Sequence, residues 1–581
     1  MLKTKTHYAD ICVVGGGLAG MCAAIAAARH GSQVVLVQDR PVYGGNCSSE
    51  IRMWPLGAQG SNCRETGIFE EIVLENMRIN PMRTYPIWDG VLYQAVAGTE
   101  NLTDIMNCSV NAVEMDGATI KSISGWQLTT YSTHKIIADI FIDCSGDSIV
   151  GLLSGAQMLS GREGRETYGE KAAPEKGDSG TMGNSLMLQV RETNQDLRFI
   201  SPIPVRKLSE EDLKNRGHEL SDFRGSNWWW IELGGDKDCL SDAEEIKKDL
   251  LKLTYGVWDH MKNGGDHGAD KWELDWVGYL PGKRESNRMI GDYILTQNDV
   301  ADGTHFEDTI AYGGWKVDNH PPKGFDHQGE PTTYYPSQCP FEIPYRCLYS
   351  INIENLMFAG RNISVSHCAL AAARVMGTCA VLGQAAGTAA HVAKCHGISP
   401  RQVGDHIKEV QKLLMEDDCW LPAYKREISS LCRSAMLKAA CENAENLRNG
   451  FDRPIGEEDN GCFIPLGTDC TYEMEEPVYI DSVRIIFDSD LDRKTVRGGV
   501  DSVKDCPTIC NRPFDMTPFE FPTTMTDSFE LIADGEVLYH KEGNRQRLVT
   551  LKVGRKVKKL ILRPLSTCGD PMAHVFSFDF K

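Results

Sequence analysis

The sequence predicts an α/β fold that is split by an inserted α+β region and followed by an all-β region. Three observations predict it. A glycine-rich turn joins an apolar strand to a small-residue helix near the N-terminus. Two later apolar strands, within residues 136–147 and 355–361, also end in glycine-containing turns. After residue 446, short strands alternate with turn signals such as Asp534-Gly535.

The first strand is Ile11-Cys12-Val13-Val14, a continuous apolar run of the kind buried on both faces. Gly15-Gly16-Gly17-Leu18-Ala19-Gly20 follows and reads G-x-G-x-x-G at Gly15, Gly17 and Gly20. The first glycine suits a tight turn, the second a close approach to a pyrophosphate, the third close helix–strand packing. Met21 to His30 reads as the helix, with Leu18 and Ala19 at its start, where free N–H groups and the positive dipole end face phosphates. Val34 to Val37 is the second strand. This strand–turn–helix–strand unit is a Rossmann dinucleotide-binding fingerprint. An acidic residue is expected at the end of its second strand to hold ribose hydroxyls. Gln38 stands there and Asp39 follows, so either can make that contact.

The continuation favours FAD over a nicotinamide. Gly44, Gly45 and Asn46 follow Arg40 just after the second strand, where glutathione-reductase-like flavoproteins pass the flavin side of the cofactor. The strand Ile140 to Asp143, with Ser145, Gly146 and Asp147 after it, resembles the piece that closes under FAD. Asn355 to Phe358 is a third strand, leading into Gly360 and Arg361. A small-residue helix over Ser366 to Ala393, with Gly377 and Thr378 near its cofactor end, completes the set.

With these motifs the chain resembles a bacterial FAD-dependent oxidoreductase family with a glutathione-reductase-like FAD fold. The resemblance rests on Gly44-Gly45-Asn46-Cys47-Ser48-Ser49-Glu50, on Arg284-Glu285-Ser286-Asn287-Arg288 leading to Gly291-Asp292-Tyr293-Ile294-Leu295, and on a last block of Ile343 to Leu348, Ala359 to Ser364 and Arg374 to Cys379. It covers roughly residues 8 to 395. It implies bound FAD, held by the residues named above. It also implies His367, Arg374 and Arg52 as catalytic candidates and Arg284, Arg288 and Tyr345 as substrate-binding candidates. Arg284, Glu285 and Arg288 read equally well as a structural ion network. No second G-x-G-x-x-G follows a later strand, so a separate NAD(P)H domain is not indicated. Cys47 falls near the flavin, either as a redox thiol or as a small spectator.

These segments divide the chain into a first part of the FAD-binding domain (1–160), an inserted substrate or cap region (161–340), the return of the FAD-binding domain with helices at Arg401–Glu416 and Pro422–Ala444 (341–445), and a C-terminal β-sandwich (446–581). Trp228, Trp229, Trp230, Trp258, Trp272, Trp276 and Trp315 crowd the inserted region, either as platforms for sugar rings or as its core. His305 and Asp318-Asn319-His320 lie near its end. The β-sandwich resembles discoidin-like jelly rolls, which often bind glycans.

Composition narrows the function classes. The chain has 581 residues and a formal net charge of −20, which weighs against a nucleic-acid surface as the main function. No stretch reaches 18 apolar residues, so a membrane span is not expected. The polar start lacks an apolar h-region, and the 20 scattered cysteines read as reduced thiols, so a cytoplasmic protein is expected. Cys462/Cys470 and Cys506/Cys510 lack the paired spacing of zinc ribbons, so no metal is expected. The leading reading is an FAD-dependent oxidoreductase moving a hydride between flavin and a small polar substrate such as a sugar or sugar derivative. A flavin ene-reductase or dehydrogenase at a C–C bond is the alternative, and a non-catalytic glycan-binding protein with structural FAD is a third. The expected partners are the small-molecule substrate and an electron acceptor or donor whose identity is open, as is homo-oligomer formation.

Overall fold

The computed structural model describes residues 3–225, 227–491 and 506–581. The chain divides into two compact units, residues 1–58, 82–410 and 506–518 in the first, and 59–81, 411–505 and 519–581 in the second.

The first unit is built on a seven-stranded sheet. β1 (Lys3–Val14), β2 (Val34–Val37) and β3 (Leu102–Ile105) run parallel, with α1 (Leu18–Arg29) crossing between β1 and β2. β4 (Cys108–Asp116), β5 (Thr119–Gln127) and β6 (Ser132–Asp143) form an antiparallel meander that brings β6 back beside β1 in parallel, Ile11 opposite Ile140. β6 pairs with β5 along its first half and with β7 (Leu356–Phe358) along its last residues. Ile11–Val14 and Val34–Val37 are buried on both faces, which is why they read as unbroken apolar runs. The polar residues before Ile11 extend β1 rather than forming a tail, because Lys3–Ala9 pair with Ser132–Ala138.

The small-residue helix expected over Ser366–Ala393 is two helices, α2 (His367–Ala373) and α3 (Met376–His396), bent by 94° at Arg374-Val375. Neither proline nor glycine causes the break. Val375 is extended, the Gly377 N–H donates to the Leu56 carbonyl, and the Arg374 guanidinium bonds Asp318, so tertiary partners hold it. α3 packs backbone to backbone on α1. A Cβ added at Gly383 would stand 2.0 Å from the Ala19 carbonyl oxygen, and one at Gly387 2.1 Å from that of Ala23. No single helix among the described residues is long and apolar enough to cross a membrane.

The inserted region has its own core. Strand Leu188–Glu192 pairs antiparallel with Trp272–Val277, beside the long helix Ala243–Asn263. Trp228, Trp230, Trp258 and Trp272 fill this core with Leu188, Val190 and Phe325, so these four rings are packing and not sugar platforms.

The second unit carries a second, antiparallel sheet. β8 (Met436–Lys438), β9 (Cys462–Pro465), β10 (Cys470–Phe487), β11 (Thr526–Ala533), β12 (Glu536–Lys541), β13 (Leu548–Thr567) and β14 (Met572–Phe580) are linked in the order β9-β14-β10-β13-β11-β12, with β8 on β10. Two of the separately expected strands, Arg547–Val553 and Val557–Leu562, lie, apart from Arg547, in the single strand β13, which holds Gly554 at φ +62 beside a register shift in its pairing with β10. The helix expected over Pro422–Ala444 is reduced to Ser430–Ser434, because Met436–Lys438 is drawn into the sheet opposite Thr471–Glu473. Residues 492–505, inside the expected β region, lie outside the described residues.

Candidate functional site

Four parallel strands end in register at one edge of the first sheet. Val14 lies opposite Val37 and Asp143, and Phe358 opposite Asp143. The turns that follow therefore meet, as ligand-binding turns do beyond the carboxyl ends of parallel strands. A cavity of about 550 Å³ opens among them. Gly15, Gly17, Leu18, Ala19, Gln38, Asp39 and Arg40 line one stretch of it, Gly44, Gly45 and Asn46 a second, and Ser145, Gly146, Asp147, Gly360 and Arg361 a third.

The glycine turns are built for contact between backbones. A Cβ at Gly20 would stand 1.7 Å from the Gly15 carbonyl oxygen, so Gly20 serves packing and does not line the cavity. The Gly44 N–H donates to the Gly16 carbonyl at 2.8 Å, which ties the second glycine pair to the first. Gly17 caps α1 with no side-chain hydrogen bond, and the first turn holds no acidic residue, which leaves its N–H groups to an anion. At the end of β2, Gln38 is buried with its amide engaged at both ends: the Gly16 N–H donates to Oε1 at 2.7 Å, and Nε2 donates to the Val42 carbonyl at 2.9 Å. Asp39, with its side chain 58% exposed, is the acidic group left facing outward at that strand end.

Two cavity-lining guanidinium groups carry buried nitrogens with no hydrogen-bond partner in the protein, Arg40 Nη1 and Arg374 Nε. Buried donors of this kind are costly unless a ligand accepts from them. With the uncapped helix start and the two glycine turns, Arg40 fits FAD, and Arg374 offers a second donor to the same cavity. Asp147 is held ionised. Burial opposes its charge, but Arg361 at 2.6 Å and Lys283 at 2.6 Å keep its pKa well below the usual carboxylate range. Sequence reasoning missed Ser109, Val110, Pro281, Lys283, Met376 and Cys379, which also line the cavity. None carries a local motif. Met376 and Cys379 take the place expected for Gly377, whose N–H is bonded to Leu56, and for buried Thr378.

The catalytic candidates separate. Arg374 lines the cavity and bonds Asp318 at 3.1 Å. His367 is buried behind it and does not line the cavity: Nδ1 lies 2.8 Å from Glu285 Oε2 and Nε2 3.1 Å from Asn319 Oδ1. Arg52, left-handed at φ +65, lies over the Trp276 ring at 4.1 Å and bonds Gln189 at 2.5 Å. Cys47 is buried and donates to the Gly44 carbonyl, and burial pushes its thiol pKa well up, which describes a spectator.

The substrate candidates are occupied. Arg284 is buried against Glu232 and Ser185, and Arg288 against Glu163, Glu285 and the Gly161 carbonyl. This is the ion-network reading of the segment. Tyr345 is buried and its hydroxyl donates to the Pro400 carbonyl at 2.5 Å, so it is no substrate contact. His320 joins the same network, with Nδ1 2.7 Å from Glu232 and Nε2 3.2 Å from Asp318. Burial opposes ionisation of Glu232, Asp318 and Glu285. The facing Arg284, His320, Arg374, His367 and Arg288 outweigh it and lower all three pKa values. Asn319 and His320 line a second cavity of about 550 Å³, with Arg162, Asp178, Lys323 and Tyr335 among its walls.

Comparison with known proteins identifies the family. A family model described as FAD dependent oxidoreductase matches residues 10–414. A soluble pyridine nucleotide transhydrogenase from Marinobacter nauticus is 43% identical over 42 residues, 7% of this chain and 9% of that relative's length. Among solved structures, a geranylgeranyl bacteriochlorophyll reductase-like protein from Thermoplasma acidophilum is similar at 12% identity and a TM-score of 0.31, over 71% of this chain and 84% of its own. Mycobacterium smegmatis Sdh1, solved with UQ1, is similar at 13% identity and a TM-score of 0.32, over 70% and 73%.

Proposed function

The chain belongs to the FAD-dependent oxidoreductase family, and on that footing we propose that it oxidises or reduces a small, uncharged polar organic substrate of the sugar or sugar-derivative class. FAD, when bound, supplies two-electron chemistry by accepting or giving a hydride at its flavin. The observation that carries the substrate class is the pairing of the arginines. A site for a dicarboxylate or enoate needs guanidinium groups free to clamp carboxylates. Arg284, Arg288 and Arg374 already face Glu232, Glu285, Glu163 and Asp318. A hydroxyl or carbonyl oxygen asks for less, one N–H at the right place.

In this reading Arg374 touches the substrate oxygen. Asp318 holds its guanidinium, and His320 in turn bonds Asp318. His367 is a positioning residue: Glu285 orients its ring, and the ring fixes Asn319, next in sequence to Asp318. Arg52, stacked on Trp276, does not line the cofactor cavity and is no part of the proton path. The discoidin-like reading of the second unit is part of the same proposal, as a holder of glycan.

Anaerobic bleaching of the bound flavin tests the proposal, with a panel of sugars, polyols and enoates. Bleaching by a sugar or polyol is expected. Arg374→Ala is expected to slow it about 10²-fold, the loss typical of one charge-stabilising donor, with FAD still bound. If dithionite-reduced enzyme is reoxidised by enoates and ignored by ketosugars, the C–C reading replaces this one. Flavin that dithionite reduces but no organic substrate touches leaves the glycan-binding reading instead.

A further inference from the structure

Three histidines and a glutamate meet in the inserted region, and none of them lines the cofactor cavity. Glu210 and His218 lie in the loop before the long helix Ala243–Asn263, His260 near the end of that helix, and His267 in the turn after it. One ligand atom from each lies within 4.8 Å of the others. The rings are close, with centroids 5.7 Å apart for His218 and His260, 5.0 Å for His218 and His267, and 4.9 Å for His260 and His267. All three histidines are buried, while Glu210 is 62% exposed and closes the group on the solvent side.

The orientation of the rings is the informative part. Each Nδ1 faces an acceptor outside the group: His218 the Arg216 carbonyl at 2.6 Å, His260 the Leu208 carbonyl at 3.1 Å, His267 the Glu219 carboxylate at 3.3 Å. Each Nε2 faces Glu210, at 3.2, 3.0 and 3.3 Å respectively. The six ring nitrogens therefore all face oxygens that accept. Three neutral imidazoles carry only three N–H groups. Carbonyls cannot donate, so Nδ1 of His218 and His260 must hold the proton, and their Nε2 lone pairs then point at a carboxylate. His267 Nε2 is buried and makes no hydrogen bond. Lone pairs converging on an anion repel unless a cation stands between them. A second proton on every ring would instead crowd three positive charges at the ring spacings above.

We propose that Glu210, His218, His260 and His267 bind one zinc ion. Three neutral imidazole nitrogens and one carboxylate oxygen are a ligand set of the tetrahedral zinc type. With metal–ligand bonds of roughly 2.0–2.1 Å, a tetrahedron has edges of roughly 3.3–3.4 Å, close to the 3.0 and 3.3 Å from Glu210 Oε1 to Nε2 of His260 and His267; His218 Nε2 lies 3.2 Å from the other oxygen, Oε2. The Nδ1 partners are the outer bonds that fix the tautomer of metal-binding histidines. The four ligands come from three stretches around the core of the inserted region, which contains Leu213, Trp258, Met261 and Ala269. The ion clamps those stretches together, so its role is structural.

Metal analysis of the FAD-loaded full chain tests this, followed by chelator treatment and titration with zinc against a chromophoric competitor. About one zinc per chain is expected, with zinc absorption-edge spectra showing only nitrogen and oxygen neighbours. Stripping should lower Tm by about 5 °C or more, and zinc should restore it. H218A/H267A should take up no zinc and show no zinc-dependent Tm. If that variant fails to fold, E210Q, at the exposed ligand, is expected to weaken zinc binding at least about tenfold. Wild-type protein that takes up no zinc at micromolar free ion overturns the proposal. So does uptake that these variants leave unchanged.

Discussion

At Gln38 the amide oxygen accepts from Gly16 in the glycine turn and the amide nitrogen donates to the Val42 carbonyl, so the side chain braces the turn against the segment after the strand. Gln38→Leu leaves the Gly16 N–H without its partner, a loss of about 1–3 kcal/mol. The expected result is a lower Tm of apo-protein and FAD affinity weakened about tenfold. Asp39→Ala should weaken FAD binding while leaving the apo Tm in place, because its carboxylate is mostly exposed. Titration of apo-protein with FAD, followed by flavin fluorescence, separates the two. Equal behaviour of the variants would return the ribose contact to Gln38. Arg288 is decided in the same manner. Arg288→Ala leaves Glu163 and Glu285 facing an unfilled guanidinium site, and about 3–5 kcal/mol of stability should go with it. Denaturant unfolding checks this. A variant as stable as wild type, but slow to turn over, would restore Arg288 as a substrate contact.

The pair α1 and α3 carries the element-scale prediction. Gly383→Ala sets a methyl group 2.0 Å from a backbone oxygen of α1, which neither helix can yield without moving the phosphate turn at its start. A loss of about 2–3 kcal/mol and weakened FAD binding are expected, while Gly404→Ala, with open space around it, should change neither. Thermal melts with and without FAD measure both, and a neutral Gly383→Ala would mean that the helices do not need their close approach. The same elements explain what could be read from sequence. β1, α1 and β2 were readable because strand, turn and helix are adjacent and each states its own period. The break at Arg374-Val375 was not, since its partners Leu56 and Asp318 are remote and no helix breaker marks it. Pro422–Ala444 kept helical apolar spacing but lost its last residues to a strand pairing with Thr471–Glu473. In the site, the glycine turns were readable for the same local reason. The pairing of Arg284 with Glu232 across 52 positions and the meeting of Glu210 with His267 were not, because neither leaves a spacing signature.

At the scale of the whole chain, paired carboxylates set an acid limit to stability and one buried histidine sets an alkaline one. In the first unit, Asp147, Asp318, Glu232 and Glu285 all have lowered pKa values. Their contribution to stability is present above the unfolded carboxylate range near pH 4 and disappears as pH falls below it. In the second unit, His574 sits between Asp459 and Asp488, each 2.9 Å away. Burial works against its charge, but the facing carboxylates of Asp459 and Asp488, the latter accepting from Nδ1, prevail and raise its pKa to about 9. A raised histidine stabilises the fold fully below its unfolded value near 6.5, and that stabilisation is lost as pH rises through about 9. The size is roughly 2–3 kcal/mol, given the shift and the residue's burial. Melting of the second unit should therefore drop between pH 6.5 and 9.5 while the acid limb of the first unit is untouched. Asp488→Asn and His574→Asn should each flatten that alkaline drop, because either change removes the charged pair in the folded state. Melts at pH 6.0 and 9.5 for wild type and both variants make the comparison. An alkaline drop of the same depth in His574→Asn would assign it to other groups and remove His574 as its source.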